Sequence, residues 1–485
     1  MKWTTLILMG AAVMLPALAS PQVLPAPGDE DHAAVTETRE ERDARMQWWR
    51  EAKFGLFVHY GLYSGLGGLF QGRPGGAEWI QRNLELDTET YAEEASRYFA
   101  PAEGCTEEWA ALAEEAGCRY MVLTTKHHDG FALFKTQVSD FSAPKLVGRD
   151  LVREYVEACR RHGLRVGFYH SVIDWHHPAY DDTICPALCY PAGQRELLRR
   201  RGIPRDQEAY IRYLHAQVKE LLSQYGPVSI MWWDYSQGAA EGARAWKAPE
   251  LIRMCREMQP GVIMNNRLYA FSGFDASRDT VQLDVRCGDY TTPEKRIPET
   301  GYPGTDWEAC MTIGDKWGYN RFDTKLKSPA VVIRQLQECA AKGGNLLLNI
   351  GPMADGHVPP AQAEVLRRVG AWMRENGTAI YGSEPMREQA APAGWWMARG
   401  KAGQVWLFAP SVEEPADTVL ELPATLVRGR RVMVLGQPDG IIRVEPVGSG
   451  EKPAADSTVR LMLPASMWSQ AVEGLPVLSL SPQNH

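Results

Sequence analysis

The sequence predicts a (β/α)8-like (TIM) barrel followed by a C-terminal all-β sandwich. Three observations lead there. Between residue 45 and about residue 380, eight short apolar runs are separated mostly by helical patterns, as expected for parallel strands joined by helical crossovers. The competing open, doubly wound sheet usually places a Gly-rich phosphate turn after its first strand, and no G-x-G-x-x-G occurs here. After Tyr381-Gly382-Ser383 the helical periodicity stops, and short alternating runs divided by Gly and Pro take over.

In chain order, Met1-Lys2-Trp3, the apolar run Leu6 to Leu15, Pro16 and Ala17-Leu18-Ala19 read as a secretory signal peptide over 1–19. The run is too short to span a bilayer, so no membrane anchor is expected after cleavage, and an exported protein, periplasmic or secreted, is. Residues 20–44 are Pro-rich and then acidic, a linker composition. The barrel is assigned to 45–383 and the sandwich to 384–485. Barrel strands are expected at 54–61, 118–130, 163–171, 228–234, 261–267, 280–286, 307–313 and 345–352. A helix over 207–223 places Tyr210, Leu214, Gln217 and Leu221 on one stripe. Another, over 330–342, aligns Val332, Leu336 and Cys339 and stops at Gly343-Gly344. Sandwich strands are expected at 404–410, 417–423, 430–436, 441–446 and 458–464.

Composition narrows the function. Apolar residues make up 45% and charged residues 23%, with a net charge of −8. Nucleic-acid partners are excluded, because phosphate binding needs a basic face; a neutral or weakly charged substrate fits better. Nine cysteines, an odd count, leave at least one free thiol. Cys118, Cys159, Cys255 and Cys339 fall within apolar patterns, and Cys185 and Cys189 are spaced for a local disulfide. No second Cys/His pair follows at zinc-site spacing.

A barrel of this type collects its chemistry at the C-terminal ends of its strands. There stand His59, Lys126-His127-His128-Asp129, Tyr169-His170, Trp232 with Asp234, Asn266-Arg267 and Asn349. Adjacent His127 and His128 are expected on opposite sides of a strand, and the H-x-H of barrel metallohydrolases is absent, so no metal is expected. No G-x-S-x-G elbow occurs, which removes the usual serine hydrolase. Carboxylates, histidines, an arginine and abundant aromatics (16 Trp, 18 Tyr) remain, a set suited to stacking on and hydrogen bonding a sugar. Glycoside hydrolysis needs two carboxyls. Asp234 is the first; it shares a strand face with Trp232, and the next helix begins too far along for Asp234 to be its cap. The second is open among Glu78, Asp289, Glu294 and Glu308.

Several stretches resemble glycoside hydrolase family 29, the α-L-fucosidases: "KFGLFVHYGLYS", Glu78-Trp79, "YMVLTTKHHDGFALF", "GFYHSVIDWHHP", "MWWD", "NNR", "GDYTTPEKRIP", "WEACMTIGDKWGYN" and "GGNLLLNIGPMADGHVPP". The resemblance runs from about Trp48 to Tyr381. It implies a retaining double displacement without a cofactor, on fucosylated oligosaccharides or glycoconjugates. It implies Asp234 as nucleophile and Glu294 as acid/base; Glu308, placed within a strand run, reads instead as a residue that supports the site from behind or is structural. It places Phe57 against the C5-methyl of fucose and His59 on a hydroxyl. It adds Glu78, Trp79, His127, His128, Tyr169, Trp232 and Arg267 as sugar-binding positions, with Trp317 as a late aromatic wall; His170 is the neighbour in reach of the Tyr169 role. A raised Glu294 pKa is expected from a buried or apolar setting or from the developing negative charge nearby. The alternatives are a same-fold enzyme acting on a related sugar such as an α-L-galactoside, a non-catalytic sugar-binding protein, and a metal-dependent hydrolase.

Overall fold

A computed structural model describes residues 37–183, 189–234, 242, 245–268, 288–437, 439–446 and 457–482. The expected signal peptide, the strand at 280–286 and Cys185 lie outside the described residues. Seven parallel strands form one sheet: β1 (Phe54–Val58), β2 (Tyr120–Lys126), β3 (Arg165–Ser171), β4 (Ile230–Asp234), β5 (Ile263–Met264), β6 (Glu308–Thr312) and β7 (Asn345–Ile350), in the order β5-β4-β3-β2-β1-β7-β6. The two edges are joined by an irregular segment. Parallel bridges Asn265–Tyr290, Thr291–Trp307 and Glu294–Cys310 place residues 290–294 between β5 and β6, and this closes the ring. Pro293, which has no N–H to donate, keeps that segment from becoming a regular strand.

Helices α1 (Arg39–Ala52), α2 (Cys105–Ala116), α3 (Leu151–Arg161), α4 (Gln207–Gln224), α5 (Ala248–Met258), α6 (Pro329–Lys342) and α7 (Pro360–Ile380) accompany the strands. The two helices read from periodicity are α4 and α6; α6 ends at Gly343 in the left-handed conformation, with its N–H on the Ala340 carbonyl.

Strand alternation divides the apolar residues into two cores. Leu56, Met121, Phe168, Met231 and Leu348 face the helices. Phe57, Val122, Tyr169, Trp232, Tyr290, Cys310 and Leu347 fill the barrel interior, and Met46, Trp49 and Ala52 of α1 close its N-terminal end. α1 begins with a capping box, the Thr38 side chain accepting from Glu41 N–H while Glu41 reaches back. Gly55 is required on β1, because a Cβ there would lie 2.3 Å from the Tyr120 ring, which occupies the interior instead.

The C-terminal region holds two antiparallel sheets. Strands β8 (Glu384–Pro385), β9 (Trp396–Arg399), β10 (Val405–Phe408), β11 (Thr418–Pro423), β12 (Arg430–Val434), β13 (Arg443–Pro446), β14 (Thr458–Leu463) and β15 (Val477–Pro482) pair as β8-β9-β10-β15-β12 and β11-β14-β13. Met397, Leu407, Leu422, Val434, Leu461 and Leu480 form the core between them. The first, second and last of these strands had no expected counterpart in the sequence. The sandwich packs on the barrel: the Trp372 indole N–H of α7 donates to the Leu475 carbonyl (2.7 Å), and Trp406 and Phe408 join the helix-facing core.

Candidate active site

A pocket at the C-terminal mouth of the barrel is lined by Phe57, His59, Trp79, His127, His128, Tyr169, Trp232, Asp234, Arg267, Glu294 and Trp317. Every residue to which the family resemblance gave a catalytic or sugar-binding role lines it except Glu78, which is buried just behind and accepts the Gly318 N–H (2.9 Å); of the other strand-end residues, Lys126, Asp129, His170, Asn266 and Asn349 do not line it.

Arg267 organises the charge. It stands in a 3-10 turn, Asn266–Leu268, directly after β5. β5 is only two residues long because Asn265 then continues the pairing with its side chain, accepting Trp233 N–H (3.0 Å) and donating to the Trp233 carbonyl (2.9 Å). Nη1 of Arg267 donates to Asp234 Oδ1 (2.8 Å) and Nη2 to Glu294 Oε2 (3.0 Å), so one guanidinium spans both carboxylates. Thr292 fixes its far side, accepting Nε on its hydroxyl (2.8 Å) and Nη2 on its carbonyl (3.2 Å). The guanidinium also lies 4.5 Å from the centre of the Trp232 ring, a favourable cation–π distance. Burial opposes its charge, but the two carboxylates hold its pKa above the usual value.

Asp234 ends β4. Its other oxygen accepts the Tyr169 hydroxyl (2.9 Å) and lies 3.7 Å from His128 Nε2. The histidines are neutral acceptors. Burial drives His59 and His128 down to about 3 and lowers His127 as well. His59 Nδ1 sits 2.6 Å from Asn349 Oδ1, and the Asn349 amide N–H donates to the Trp317 carbonyl (2.7 Å). That puts the His59 proton on Nδ1 and leaves Nε2 to accept. Ser171 does the same for His128: its hydroxyl donates to the Ile173 carbonyl (2.8 Å) and so accepts His128 Nδ1–H (2.7 Å). Bare ring nitrogens beside carboxyl oxygens suit a ligand rich in hydroxyl donors. Phe57 supplies the apolar surface, 5.1 Å from Trp232 and 6.0 Å from Trp317 between ring centres.

Three expectations are corrected. His127 and His128 do not face opposite ways: β2 ends at Lys126, and both rings line the pocket, 4.1 Å apart. Glu294 sits against a guanidinium, partly open to solvent, rather than in an apolar setting. Cys189 carries a free thiol close to Arg82 (3.8 Å) and Arg195 (3.6 Å) in place of the expected disulfide. The remaining alternatives resolve by position. His170 points away, its Nδ1 3.0 Å from the Thr125 hydroxyl, which leaves Tyr169 facing the pocket. Asp289 is bound by Arg45 (2.8 Å) and Arg256 (2.6 Å), away from the mouth. Glu308 is wholly buried below Trp232. Among the described residues no group of three or more His, Cys, Asp or Glu is arranged to hold a metal ion.

Sequence reasoning missed Thr292 and Ser171. Both are small polar residues within matching stretches, and their role of holding a neighbouring side chain leaves no pattern in a single sequence.

The α-L-fucosidase family model matches residues 25–378. The chain is 30% identical to the tissue α-L-fucosidase of Rattus norvegicus, over 80% of this chain and 81% of that one. Against the tissue α-L-fucosidase of Homo sapiens it is also 30% identical, over 80% of each. Among solved structures, α-L-fucosidase isoenzyme 1 from Paenibacillus thiaminolyticus superposes with a TM-score of 0.77 at 33% identity, over 92% of this chain and all (100%) of that one. A family 29 α-L-fucosidase from Bacteroides thetaiotaomicron, trapped as a covalent intermediate with 2-fluoro-fucosyl fluoride, superposes with a TM-score of 0.73 at 26% identity, over 90% of this chain and 96% of that one.

Proposed function

The chain belongs to the α-L-fucosidase family, glycoside hydrolase family 29, and from that premise we propose that it is an exported, retaining exo-glycosidase that removes terminal α-L-fucose from oligosaccharides or glycoconjugates. The observation behind this reading is the single guanidinium of Arg267 held between Asp234 and Glu294. One side chain thus serves two carboxyls at the same pocket, the pair that glycoside hydrolysis requires.

Asp234 is the nucleophile. Arg267 and Tyr169 aim its oxygens into the pocket, each donating to one of them. Glu294, the more exposed of the pair, gives its proton to the departing oxygen and later takes one from the attacking water. Once Asp234 is esterified by the sugar, Glu294 is the carboxyl left beside Arg267 for the second step. His59, His127 and His128 accept sugar hydroxyls, and Phe57 meets the C5-methyl, where an α-L-galactoside would bring a hydroxymethyl against an aromatic edge. A sugar-binding protein has no need of the carboxylate pair. The trapped covalent intermediate of the Bacteroides relative supports retention here. Export rests on the leader pattern of residues 1–19. Among the described residues no helix is long and apolar enough to cross a membrane.

Variants test the two roles. Asp234→Gly is expected to lose nearly all turnover of an aryl α-L-fucoside and to recover with azide, giving the inverted fucosyl azide. Glu294→Ala is expected to retain most of its kcat/KM on an aryl fucoside with a good leaving group, with a lowered kcat because the second step has lost its base, and to lose kcat/KM on an O-linked disaccharide. Azide without effect on the first, or equal losses on both substrates for the second, would refute the respective assignment.

A further inference from the structure

Below the pocket floor lies a carboxylate that the mechanism above does not use. Glu308 starts β6, points into the barrel interior and is wholly buried. It accepts the Tyr120 hydroxyl on Oε2 (2.5 Å) and the Trp232 indole N–H on Oε1 (3.2 Å). Tyr120 is in turn approached by the Asn345 amide N–H (3.4 Å), so its own proton is directed to Glu308. No lysine, arginine or histidine forms an ion pair with this carboxylate among the described residues. Burying an unpaired acid is expensive, and an apolar residue of similar size would fill the space without that penalty.

What the carboxylate secures is Trp232. This indole forms the pocket floor: Phe57 is 5.1 Å from it, Tyr169 stacks on it at 5.7 Å, and the Arg267 guanidinium rests 4.5 Å from its centre. A tryptophan pinned at its only N–H can neither flip nor tilt without leaving a buried donor unsatisfied. Arg267 then has a fixed surface on which to lie while it spans the two carboxylates.

We propose that Glu308 is a positioning residue: its carboxylate fixes the Trp232 indole and, through that ring, the Arg267 guanidinium between Asp234 and Glu294. This rests on the functional reading above. The ionised form does the work, because it accepts from both Tyr120 and Trp232, whereas the protonated form must turn one oxygen into a donor. Burial raises its pKa to about 7. The other ionisable groups facing it are Tyr120, Tyr290, Cys310 and Cys339, all held neutral by burial.

The test uses the full chain and 4-nitrophenyl α-L-fucoside, with Glu308→Leu and Glu308→Gln. Displacing a catalytic group by about an ångström lowers rates roughly 100-fold, so the Leu variant is expected to lose 10- to 100-fold, about that range, in kcat with a smaller change in KM. Gln keeps an oxygen acceptor for Trp232 and is expected to recover most of the rate. Its kcat/KM profile is expected to lack the protonation step of about pH 7 expected of the wild type. A folded Leu variant with wild-type kcat, or a Gln variant with an unaltered pH profile, overturns the proposal. If the Leu variant does not fold, Trp232→Phe decides. Phe keeps a ring but removes the N–H through which Glu308 acts, so the step of about pH 7 should vanish from its kcat/KM profile, and persistence of that step overturns the anchor. Wild-type turnover is the control. Its absence counts against the functional reading, while an active wild type beside an unaffected variant counts against the positioning role alone.

Discussion

Arg267 and Glu308 show how single side chains set the character of this site, one by its charge and the other by its burial. Arg267 lies within "NNR", which sequence matching reached, but its bridging of Asp234 and Glu294 depends on residues 27 and 33 positions apart in the chain. Parity along a strand correctly put Trp232 and Asp234 on one face, since β4 runs through both. The same parity misled at His127 and His128, because the strand ends one residue earlier. The cost of burying Glu308 leads to a prediction about stability. Its carboxyl holds its proton more tightly folded than unfolded, rising from 4.5 to about 7. It therefore stabilises the fold fully below about pH 4.5, and that contribution is lost as the pH climbs through about 7. Glu308→Gln has no such loss. Its stability relative to wild type is expected to rise between pH 4.5 and pH 8, by up to about 3 kcal/mol at about 1.4 kcal/mol per pH unit. Urea denaturation at both ends of that range reads the difference directly, and a gap that does not change with pH would contradict the assignment.

At the scale of elements, the end of β2 depends on a buried ion pair. Lys126 Nζ meets Asp174 Oδ2 at 3.0 Å with neither side chain exposed. Asp174 also takes the N–H groups of His176 (2.9 Å) and His177 (2.8 Å), which ties the loop after β3 to the loop that carries His127 and His128. Burial alone would raise the Asp174 pKa; Lys126 and the backbone donors hold it below the usual value. Gly130 follows because a Cβ there would lie 2.4 Å from Asp174 Oδ1. "KHHDGF" was visible in the sequence as a motif; its reason, a lysine reaching a later loop, was not. Lys126→Met leaves Asp174 buried without its cation and is expected to lose about 3–5 kcal/mol of stability. Changing both residues to apolar ones is expected to lose less than the single change. A double variant that falls by the sum of the two single losses would mean that the pair is not coupled. The irregular closure of the ring at 290–294 was invisible for a related reason. Its pairing is made of three isolated bridges, without the alternating run that marks a strand.

For the whole molecule, barrel and sandwich were both legible because each has its own periodicity, with apolar strand runs between helices in one and short alternating strands in the other. The seam between them was not, since Trp372, Trp406 and Phe408 read simply as apolar positions until the fold brings them together. The assembled molecule directs an aromatic, carboxylate-bearing pocket to the barrel mouth, where the proposed reaction is the hydrolysis of α-L-fucosides with retention. The most direct measurement offers the protein 4-nitrophenyl α-L-fucoside beside the α-L-galactoside, the β-D-galactoside and the β-D-fucoside, and follows the first sugar released by proton NMR before it mutarotates. Release is expected from the α-L-fucoside in strong preference to the others, with α-L-fucose appearing first. Appearance of β-L-fucose first, or release from another glycoside but not from this one, would contradict the proposed reaction.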